Sequence, residues 1–207
     1  MLKIAVTGGA GSGKSIVCAE FKKLGAHAIN LDMISREVVR PHTDCWQQVV
    51  DYFGKKILEP DDSINRRKLR EIILIDPGAR KALEKLTHPE ILHNMKQQMK
   101  VLEKTSPGGL LVTEVPLLFE CGLQDFFDVV ILVTATPSQQ IQRLIKRDNV
   151  SAKSVKALLD IQLSTKEKRK YADFIIKNSG TKENLSKIVL EIYEKLSKGL
   201  DRERVMI

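Results

Sequence analysis

Short apolar runs recur along the chain, each bounded by glycine or by polar residues. They cover residues 3–6, 26–30, 109–115, 128–135 and 172–178. Such runs are typical of strands in a parallel sheet that is covered on both faces. The pattern therefore predicts five strands.

Between these runs, apolar residues recur at the spacing of one helix face. The first such segment covers residues 14–24 and stops at Gly25, a residue type that commonly ends helices. Three later segments have the same pattern: residues 138–148, 151–162 and 181–198. Strands that alternate with helices predict an α/β fold, with a parallel five-stranded sheet flanked by helices. The tail from Asp201 is expected to be loosely held.

Residues 32–104 interrupt this alternation, because their pattern is mostly helical. One helical segment ends at Gly54, and a long one covers residues 79–103. Pro89 is expected to interrupt the long segment, since its ring blocks a backbone hydrogen bond. The block is too long for one crossover connection, so we expect a separate helical lobe over one end of the sheet.

Composition supports an ordinary globular chain. The 207 residues are 43% hydrophobic and 29% charged. The sequence contains no run of about 18 apolar residues, so no membrane-spanning helix is expected. The N-terminal apolar run is too short for a signal peptide. The three cysteines are widely spaced and match no disulfide or zinc pattern. These features favour a reducing, cytoplasmic setting.

The net charge of +8 and a pI near 9.4 indicate an anionic partner. Nucleotide phosphates, nucleic acid and a membrane surface all fit this charge. Aromatic residues make up only 5%, so stacking platforms for single-stranded nucleic acid are scarce. A basic, well-solvated surface is the alternative explanation.

The stretch TGGAGSGKS follows the first predicted strand and opens the first predicted helix. Its pattern, Gly8-x-x-x-x-Gly13-Lys14-Ser15, is that of a phosphate-binding loop. Backbone N–H groups of such a turn form a concave anion site, and the helix directs its positive end at the same anion. The stretch therefore predicts binding of the triphosphate of ATP or GTP, with Ser15 as a ligand of Mg²⁺. The residues expected to bind the nucleotide here are Gly9, Ala10, Gly11, Ser12, Gly13, Lys14 and Ser15.

Other nucleotide-binding signatures are missing from the sequence. Residues 175–180 read IIKNSG where a GTPase would have Asn-Lys-x-Asp, and the ABC signature LSGGQ does not occur. The strand at residues 110–114 ends in Glu114 and gives no obvious Walker B pattern. Another P-loop kinase, a nucleotide-dependent switch and a nucleic-acid-binding protein remain open from these residues alone.

Three further residues suit phosphoryl transfer. Asp32 follows the second predicted strand, at the edge where open α/β sheets place ligands. Its carboxylate could accept a proton from an attacking hydroxyl, or it could simply cap the next helix. Arg143 and Arg147 are four residues apart, hence on one helix face, and could bind phosphate oxygens or form a solvated surface.

Taken together, the motifs resemble those of dephospho-coenzyme A kinases over nearly the whole chain. The matching stretches are TGGAGSGKS, INLDMISREVV, INRRKLR, THPEI, VTEVPLLFE, the Arg143/Arg147 helix with RDNVS, Gln162 and ADFIIKNSG. The phosphate loop alone is widespread. More specific are His88-Pro89, Pro116-Leu117-Leu118 with Glu120, and Ala172-Asp173 before Asn178.

The resemblance implies a P-loop kinase with ATP and dephospho-coenzyme A as its small-molecule substrates and Mg²⁺ as its cofactor. It implies phosphorylation of the ribose 3′-hydroxyl, and no nucleic-acid or membrane partner; no protein partner is predicted. The whole chain, 1–207, would form one domain. Its core would comprise residues 1–31, 105–137 and 171–200, with a helical substrate lobe at 32–104 and a mobile lid at 138–170.

The resemblance also implies roles for particular residues. Asp32, Lys14 and Arg143 would be catalytic, with Asp32 as general base. Arg143, Arg147 and Asn178 would bind ATP. The residues expected to bind the other substrate are Asp32, Arg66, His88, Glu114 and Leu117. His88 could instead be a structural imidazole that caps the helix break at Pro89.

The chain departs from the family pattern at three positions. The family usually has Asp-Ala-Asp where this chain has Asn30-Leu31-Asp32, and Asp-Arg where it has Asn65-Arg66. It tends to have Asp in place of Glu114. Each change keeps a polar group of similar reach, and Asp32 itself is kept. We therefore expect activity, while the roles of the three substituted positions stay open.

Overall fold

The computed structural model describes residues 1–148, 151–199 and 205–206. It divides into two compact units, one formed by Met1–Asn30 with Leu102–Ile207, and the other by Leu31–Val101. Asn149 and Val150, which belong to the RDNVS match, lie outside the described residues, as do most residues of the tail.

The first unit contains a parallel sheet. Its strands are β1 (Leu2–Thr7), β2 (His27–Asn30), β3 (Leu110–Glu114), β4 (Val129–Thr134), β5 (Phe174–Lys177) and β6 (Val205–Met206). Their order across the sheet is β2-β3-β1-β4-β5-β6, and every neighbouring pair is parallel. All five predicted strands are confirmed. The tail departs from expectation at residues 205–206, because these pair with β5 as a sixth strand.

Helices of the first unit connect and cover these strands. They are α1 (Lys14–Lys23), α6 (Pro137–Asp148), α7 (Ala152–Asp160), α8 (Thr165–Lys168) and α9 (Lys182–Ser197). Apolar residues of α1 and α9, such as Phe21 and Val189, pack with strand residues such as Ile131 in one buried core. From Ile4 to Thr7 residues on both faces of β1 are fully buried, and the stretch Ile4–Val6 is continuously apolar rather than alternating.

The carboxyl ends of the central strands bring polar groups to one edge of this sheet. Glu114, the last residue of β3, is in register with Val6 of β1 and Asn30 of β2. The glycine-rich loop begins one residue after β1 ends. Asn178 directly follows β5, and its backbone N–H donates to the Thr134 carbonyl at 2.7 Å.

The second unit is helical. It holds α2 (Leu31–Glu37), α3 (Asp44–Phe53), α4 (Arg66–Ile75) and most of α5 (Pro77–Thr105). Side chains from α3, α4 and α5, including Val49, Phe53 and Leu69, form its small apolar core. Asn65 caps α4, because its side-chain oxygen accepts the Lys68 N–H at 2.8 Å. The substituted position 65 thus has a structural role that asparagine performs as well as aspartate.

The predicted break at Pro89 is wrong. α5 runs for 29 residues with Pro89 inside it. A proline removes its own N–H from the hydrogen-bond ladder and crowds the carbonyl four residues earlier, yet this helix continues through the position. His88, which is half-buried, therefore has no helix break to cap.

Candidate active site

The glycine-rich loop joins β1 to α1 and has a backbone that only glycine adopts readily. Gly8, Gly11 and Gly13 have φ angles of +146°, +73° and +98°. Close packing adds a second requirement for glycine. A Cβ at Gly8 would lie 2.1 Å from the Val133 carbonyl oxygen, and one at Gly13 would lie 2.0 Å from Asn178 Nδ2. Glycine is therefore needed both for the loop's shape and for its fit against the strands.

Lys14 folds back over this loop. Its Nζ donates to the carbonyl oxygens of Gly8 and Gly9, at 3.1 Å each, and the residue is only 7% exposed. The ammonium group thus lies against the turn whose N–H groups are expected to bind phosphate. A positive charge fixed there suits an anionic ligand.

Ser15, Glu114 and Asn30 form a hydrogen-bonded group beside the loop. Ser15 Oγ donates to Glu114 Oε1 at 2.8 Å, and Asn30 Nδ2 donates to Oε2 at 2.8 Å. Glu114 is 4% exposed, so its carboxylate is nearly buried and is held by both donors. An amide at position 30 can donate to this carboxylate, whereas an ionised carboxylate there could not. Asn30 and Glu114, at two of the positions where the chain departs from the family pattern, are therefore joined by one hydrogen bond.

The oxygen atoms of Ser15 and Glu114 fit a magnesium site that is completed by phosphate. Mg²⁺ prefers oxygen ligands, and in phosphoryl-transfer sites it is usually held by one or two protein side chains together with substrate oxygens. Among the described residues, no group of three or more His, Cys, Asp or Glu side chains could hold a metal alone. The donor set thus fits a nucleotide-borne metal better than a protein-only cage.

Arg143 and Asn178 hold the other side of the loop. The Arg143 guanidinium donates to the Gly11 and Ser12 carbonyls at 3.3 Å each, and to the Asn178 carbonyl at 3.1 Å. Asn178 Nδ2 donates to the Ser12 carbonyl at 2.8 Å. The structure thus brings two of the predicted ATP-binding residues together at the phosphate loop.

Arg147, one helical turn further along α6, has a different environment. It forms a bidentate ion pair with Asp148, with Nε–Oδ1 and Nη2–Oδ2 distances of 2.7 and 3.0 Å. Its side chain is 66% exposed. The structure therefore places Arg143 at the loop and leaves the side chain of Arg147, one turn further along, mostly exposed to solvent.

Two glutamines that carried no predicted role hold one residue of the loop, Ala10, by its two backbone polar groups. Gln140 Nε2 donates to the Ala10 carbonyl at 2.9 Å, and Gln162 Oε1 accepts the Ala10 N–H at 3.1 Å. Gln140 is three residues before Arg143, so a polar face of α6 was visible in the sequence. Gln162 appeared only as a match to the family.

A buried ion pair was also missed, because Lys168 lies within a basic run that the sequence suggested was solvated. Its side chain is 1% exposed, and its Nζ lies 2.7 Å from Glu120 Oε1. The same carboxylate oxygen accepts the backbone N–H of Leu163 at 3.0 Å. A run of basic residues does not reveal that one of them is buried, because the partner of Lys168, Glu120, lies in a turn far away in the sequence.

In the second unit, Asp32 is the second residue of α2 and is exposed. Because α2 begins at Leu31, the interpretation of Asp32 as the helix cap is wrong. Arg66 is the first residue of α4, and its pKa is lowered by burial and by the nearby charges of Arg36 and Arg70, against the opposing effect of Asp32. One carboxylate and three guanidinium groups thus influence one another within this unit.

His88 and Leu117 are the two remaining predicted site residues, and both are half-buried. His88 lies in α5. Leu117 lies in the turn after β3, where its carbonyl accepts the Cys121 N–H at 3.0 Å. The contacts of His88 and Leu117 with the second substrate therefore stay predictions.

Cys18 lies in the core beneath the loop. Burial raises the pKa of its thiol, Glu114 raises it further and Lys14 opposes the shift. The thiol therefore stays protonated and is a packing residue rather than a nucleophile.

Comparison with known proteins identifies the family. A family model described as dephospho-CoA kinase matches residues 2–184. A dephospho-CoA kinase of Thermobifida fusca is 36% identical over 97% of this chain and 98% of its own length. That of Coxiella burnetii is 37% identical over 93% and 96% of the two chains.

Solved structures agree with this assignment. The dephospho-CoA kinase from Campylobacter jejuni superposes with a TM-score of 0.70 at 30% identity, covering 95% of this chain and 98% of that one. A Thermus thermophilus protein gives a TM-score of 0.77 at 28% identity, with 94% and 97% covered. Shikimate kinase from Acinetobacter baumannii, at 19% identity and a TM-score of 0.51, shares the fold. This chain belongs to the dephospho-CoA kinase family, as its motifs indicated.

Proposed function

We propose that this protein transfers the γ-phosphoryl group of ATP to the ribose 3′-hydroxyl of dephospho-CoA. The products would be coenzyme A and ADP, which makes the reaction the last step of coenzyme A synthesis. The observation that carries the proposal is the phosphate loop with Lys14, Ser15, Glu114 and Arg143 around it, in a chain of this family.

ATP would bind with its phosphates in the glycine-rich loop. The N-terminus of α1 and backbone N–H groups of the loop would face the phosphate oxygens. The Ala10 N–H, which Gln162 holds, and the Ser12 N–H, which donates to the Gly9 carbonyl, would instead keep the loop in shape. Lys14 would exchange its hydrogen bonds to the Gly8 and Gly9 carbonyls for contacts with the β- and γ-phosphates. Arg143, already fixed beside the loop, would stabilise charge on the transferring group.

The Ser15 and Glu114 oxygens would hold Mg²⁺ with the nucleotide. When bound, the metal neutralises charge on the phosphate oxygens. Asn30 would keep the Glu114 carboxylate oriented toward Ser15 by donating to its second oxygen. The substituted pair at positions 30 and 114 would therefore support the metal site.

Asp32 is proposed as the general base for the acceptor hydroxyl. It lies two residues after Asn30 along the chain, and its carboxylate is exposed at the start of α2. Arg66 and its neighbours Arg36 and Arg70 would bind phosphate groups of dephospho-CoA, because three guanidinium groups within one unit suit an anionic substrate.

Residues 138–170 are proposed to act as a lid and residues 32–104 as the substrate lobe. The lid would be anchored at Gln140, Arg143 and Gln162, which already contact the phosphate loop. Closure of the lid would bring Arg147 to the phosphates and exclude water, which suppresses hydrolysis of ATP. Asn178 begins the segment that we propose runs past the adenine. His88 and Leu117 would contact the second substrate.

We also propose a cytoplasmic location. Over residues 1–148, 151–199 and 205–206, no helix has the length and apolarity needed to cross a membrane. We propose no role in nucleic-acid binding, since the phosphate loop and the arginine-rich region offer small-molecule anion sites for the basic charge.

A panel of acceptors tests this function. The purified protein is incubated with MgATP and, separately, with dephospho-CoA, a nucleoside monophosphate and shikimate, and ADP formation is followed. We expect rapid acceptor-dependent turnover with dephospho-CoA alone. Faster turnover with either other acceptor would reject the proposed substrate.

A further inference from the structure

Residues 161–171 form a return segment that leads from α7 back to β5, and its attachment to the rest of the first unit depends on polar contacts. Ile161 and Leu163 in this segment are 39% and 40% exposed, so apolar burial contributes little at its start. Ser164 caps the short helix α8 through a reciprocal pair of hydrogen bonds with Glu167, which gives the segment internal order. Contacts with other parts of the unit must therefore fix its position.

Glu120 supplies two of these contacts through one oxygen atom. Its Oε1 accepts the Leu163 N–H at 3.0 Å and lies 2.7 Å from Lys168 Nζ. The Lys168 side chain is 1% exposed and the Glu120 side chain 17%. Apart from this ion pair, neither Lys168 Nζ nor Glu120 Oε2 has a hydrogen-bond partner among the described residues, so the ion pair is the main compensation for burying the lysine.

An aromatic contact next to Glu120 supports the same attachment. The rings of Phe119 and Tyr171 lie 5.6 Å apart at a tilted angle. Residues 119 and 120 thus hold the return segment near both of its ends. The turn after β3 serves as a fixed support for the segment, since β3 is fully buried in the sheet.

The return segment also touches the phosphate loop. Gln162 lies next to Leu163, and its Oε1 accepts the Ala10 N–H at 3.1 Å. Gln140 holds the other side of the neighbouring backbone by donating to the Ala10 carbonyl at 2.9 Å. With both polar groups of Ala10 held, the loop keeps one arrangement of its N–H groups before any ligand arrives.

We propose that Glu120 is a positioning residue for the phosphate loop, acting through the return segment. By fixing Leu163 and Lys168, it keeps Gln162 on the Ala10 N–H and so preserves the loop shape that receives the triphosphate. The ligand part of this inference rests on the proposed function, whereas the loop's order does not.

The test compares Glu120→Ala, Gln162→Ala and the double variant. Without nucleotide, hydrogen exchange is measured in peptides that cover residues 8–13 and 161–168. MgATP affinity is measured by calorimetry. Two exposed changes serve as controls: Glu194→Gln, from an ion pair of 3.9 Å with both side chains more than half exposed, and Gln47→Ala, whose amide bonds to Asp51.

We expect each single variant to weaken MgATP binding by about fivefold, the equivalent of one neutral hydrogen bond. The double variant should bind MgATP as tightly as either single variant, because both changes remove the same contact between Gln162 and Ala10. Exchange of residues 8–13 should speed up in all three, while α9 stays protected. The controls should match the wild type.

Other results overturn the inference. Effects of Glu120→Ala and Gln162→Ala that multiply would mean that the two residues act independently. Tighter ATP binding by Gln162→Ala would mean that Gln162 competes with phosphate for the Ala10 N–H. If Glu120→Ala does not fold, Glu120→Leu combined with Lys168→Met removes the charge pair and the acceptor of the Leu163 N–H together, and unchanged loop exchange there rejects the proposal. A wild-type protein that failed to bind ATP would count against the proposed function, while loop exchange would still decide this inference.

Discussion

Gly13→Ala should destabilise the protein for two separable reasons. The first is conformational, because Gly13 has φ +98° and ψ +24°, in the left-handed region. A residue with a Cβ there costs about 1–2 kcal/mol relative to glycine. The second is steric, because the new Cβ would lie 2.0 Å from Asn178 Nδ2.

The steric part can be sized from the contact that must break. Asn178 is 5% exposed, and its Nδ2 donates to the Ser12 carbonyl at 2.8 Å. Moving that amide leaves a buried donor without its acceptor, which costs about 1–3 kcal/mol. The two parts together predict a loss of about 2–5 kcal/mol in the free energy of unfolding.

Two other glycines isolate these parts. Gly122 has φ +63° and open space around a Cβ, so Gly122→Ala should cost only the conformational share, about 1–2 kcal/mol. Gly108 has open space and no φ in the left-handed region, so Gly108→Ala should be neutral or stabilising by at most about 1 kcal/mol.

Urea unfolding followed by far-ultraviolet circular dichroism measures these differences. Tryptophan fluorescence would report only on Trp46, which lies in the second unit. In an Asn178→Ala background the clash is gone, so Gly13→Ala should cost only about 1–2 kcal/mol. Equal losses in Gly13→Ala and Gly122→Ala, with no relief by Asn178→Ala, would refute the reasoning.

Four further predictions concern catalysis and pH. Lys14→Ala should nearly abolish turnover without lowering the melting temperature, and wild-type turnover in this variant would reject the role of the loop. Asp32→Asn should lower kcat by about a hundredfold or more while ATP affinity and the melting curve stay unchanged; transfer at the wild-type rate would remove Asp32 from the mechanism. Arg143→Ala should weaken ATP binding without acceptor, because Arg143 already contacts the loop, whereas Arg147→Ala should affect only turnover; calorimetry that shows equal weakening would contradict this difference. Because burial raises the pKa of the Cys18 thiol, the folded protein keeps this proton at a pH where the unfolded chain loses it. The free energy of unfolding should therefore be constant below the unfolded thiol pKa of about 8.5 and fall by up to about 2 kcal/mol between pH 8.5 and 10. Cys18→Ala should flatten that decline relative to the wild type, in which Cys45 also contributes because burial and Glu90 raise its pKa.

The strands and the phosphate loop were predictable because their signals are local. A continuous apolar run such as residues 129–133 specifies a strand buried on both faces, and the glycine pattern specifies its own turn. The break at Pro89 was wrong because a local rule was outweighed by the hydrogen bonds of a long helix. Strand β6 was missed because two residues carry no periodicity, and only the edge of β5 makes them a strand.

The support of the site was less predictable, since it joins residues far apart in sequence. Asn30 and Glu114 looked like separate departures from the family, yet they share a hydrogen bond across neighbouring strands. Gln162 appeared only as a family match and Lys168 only as part of a basic run until their partners, Ala10 and Glu120, were known. Residue type and spacing predict chemistry along one element, whereas the pairing of elements decides which side chains meet.

The most direct test of the central claim is a single-turnover measurement with ATP labelled in its γ-phosphate. Enzyme in excess is mixed with labelled MgATP and dephospho-CoA, quenched at intervals and analysed by chromatography against authentic coenzyme A. The proposed function predicts that the label appears in a product that coelutes with coenzyme A and carries its new phosphate on the ribose 3′-oxygen. Label found only in inorganic phosphate, or on a different oxygen of the acceptor, would contradict it.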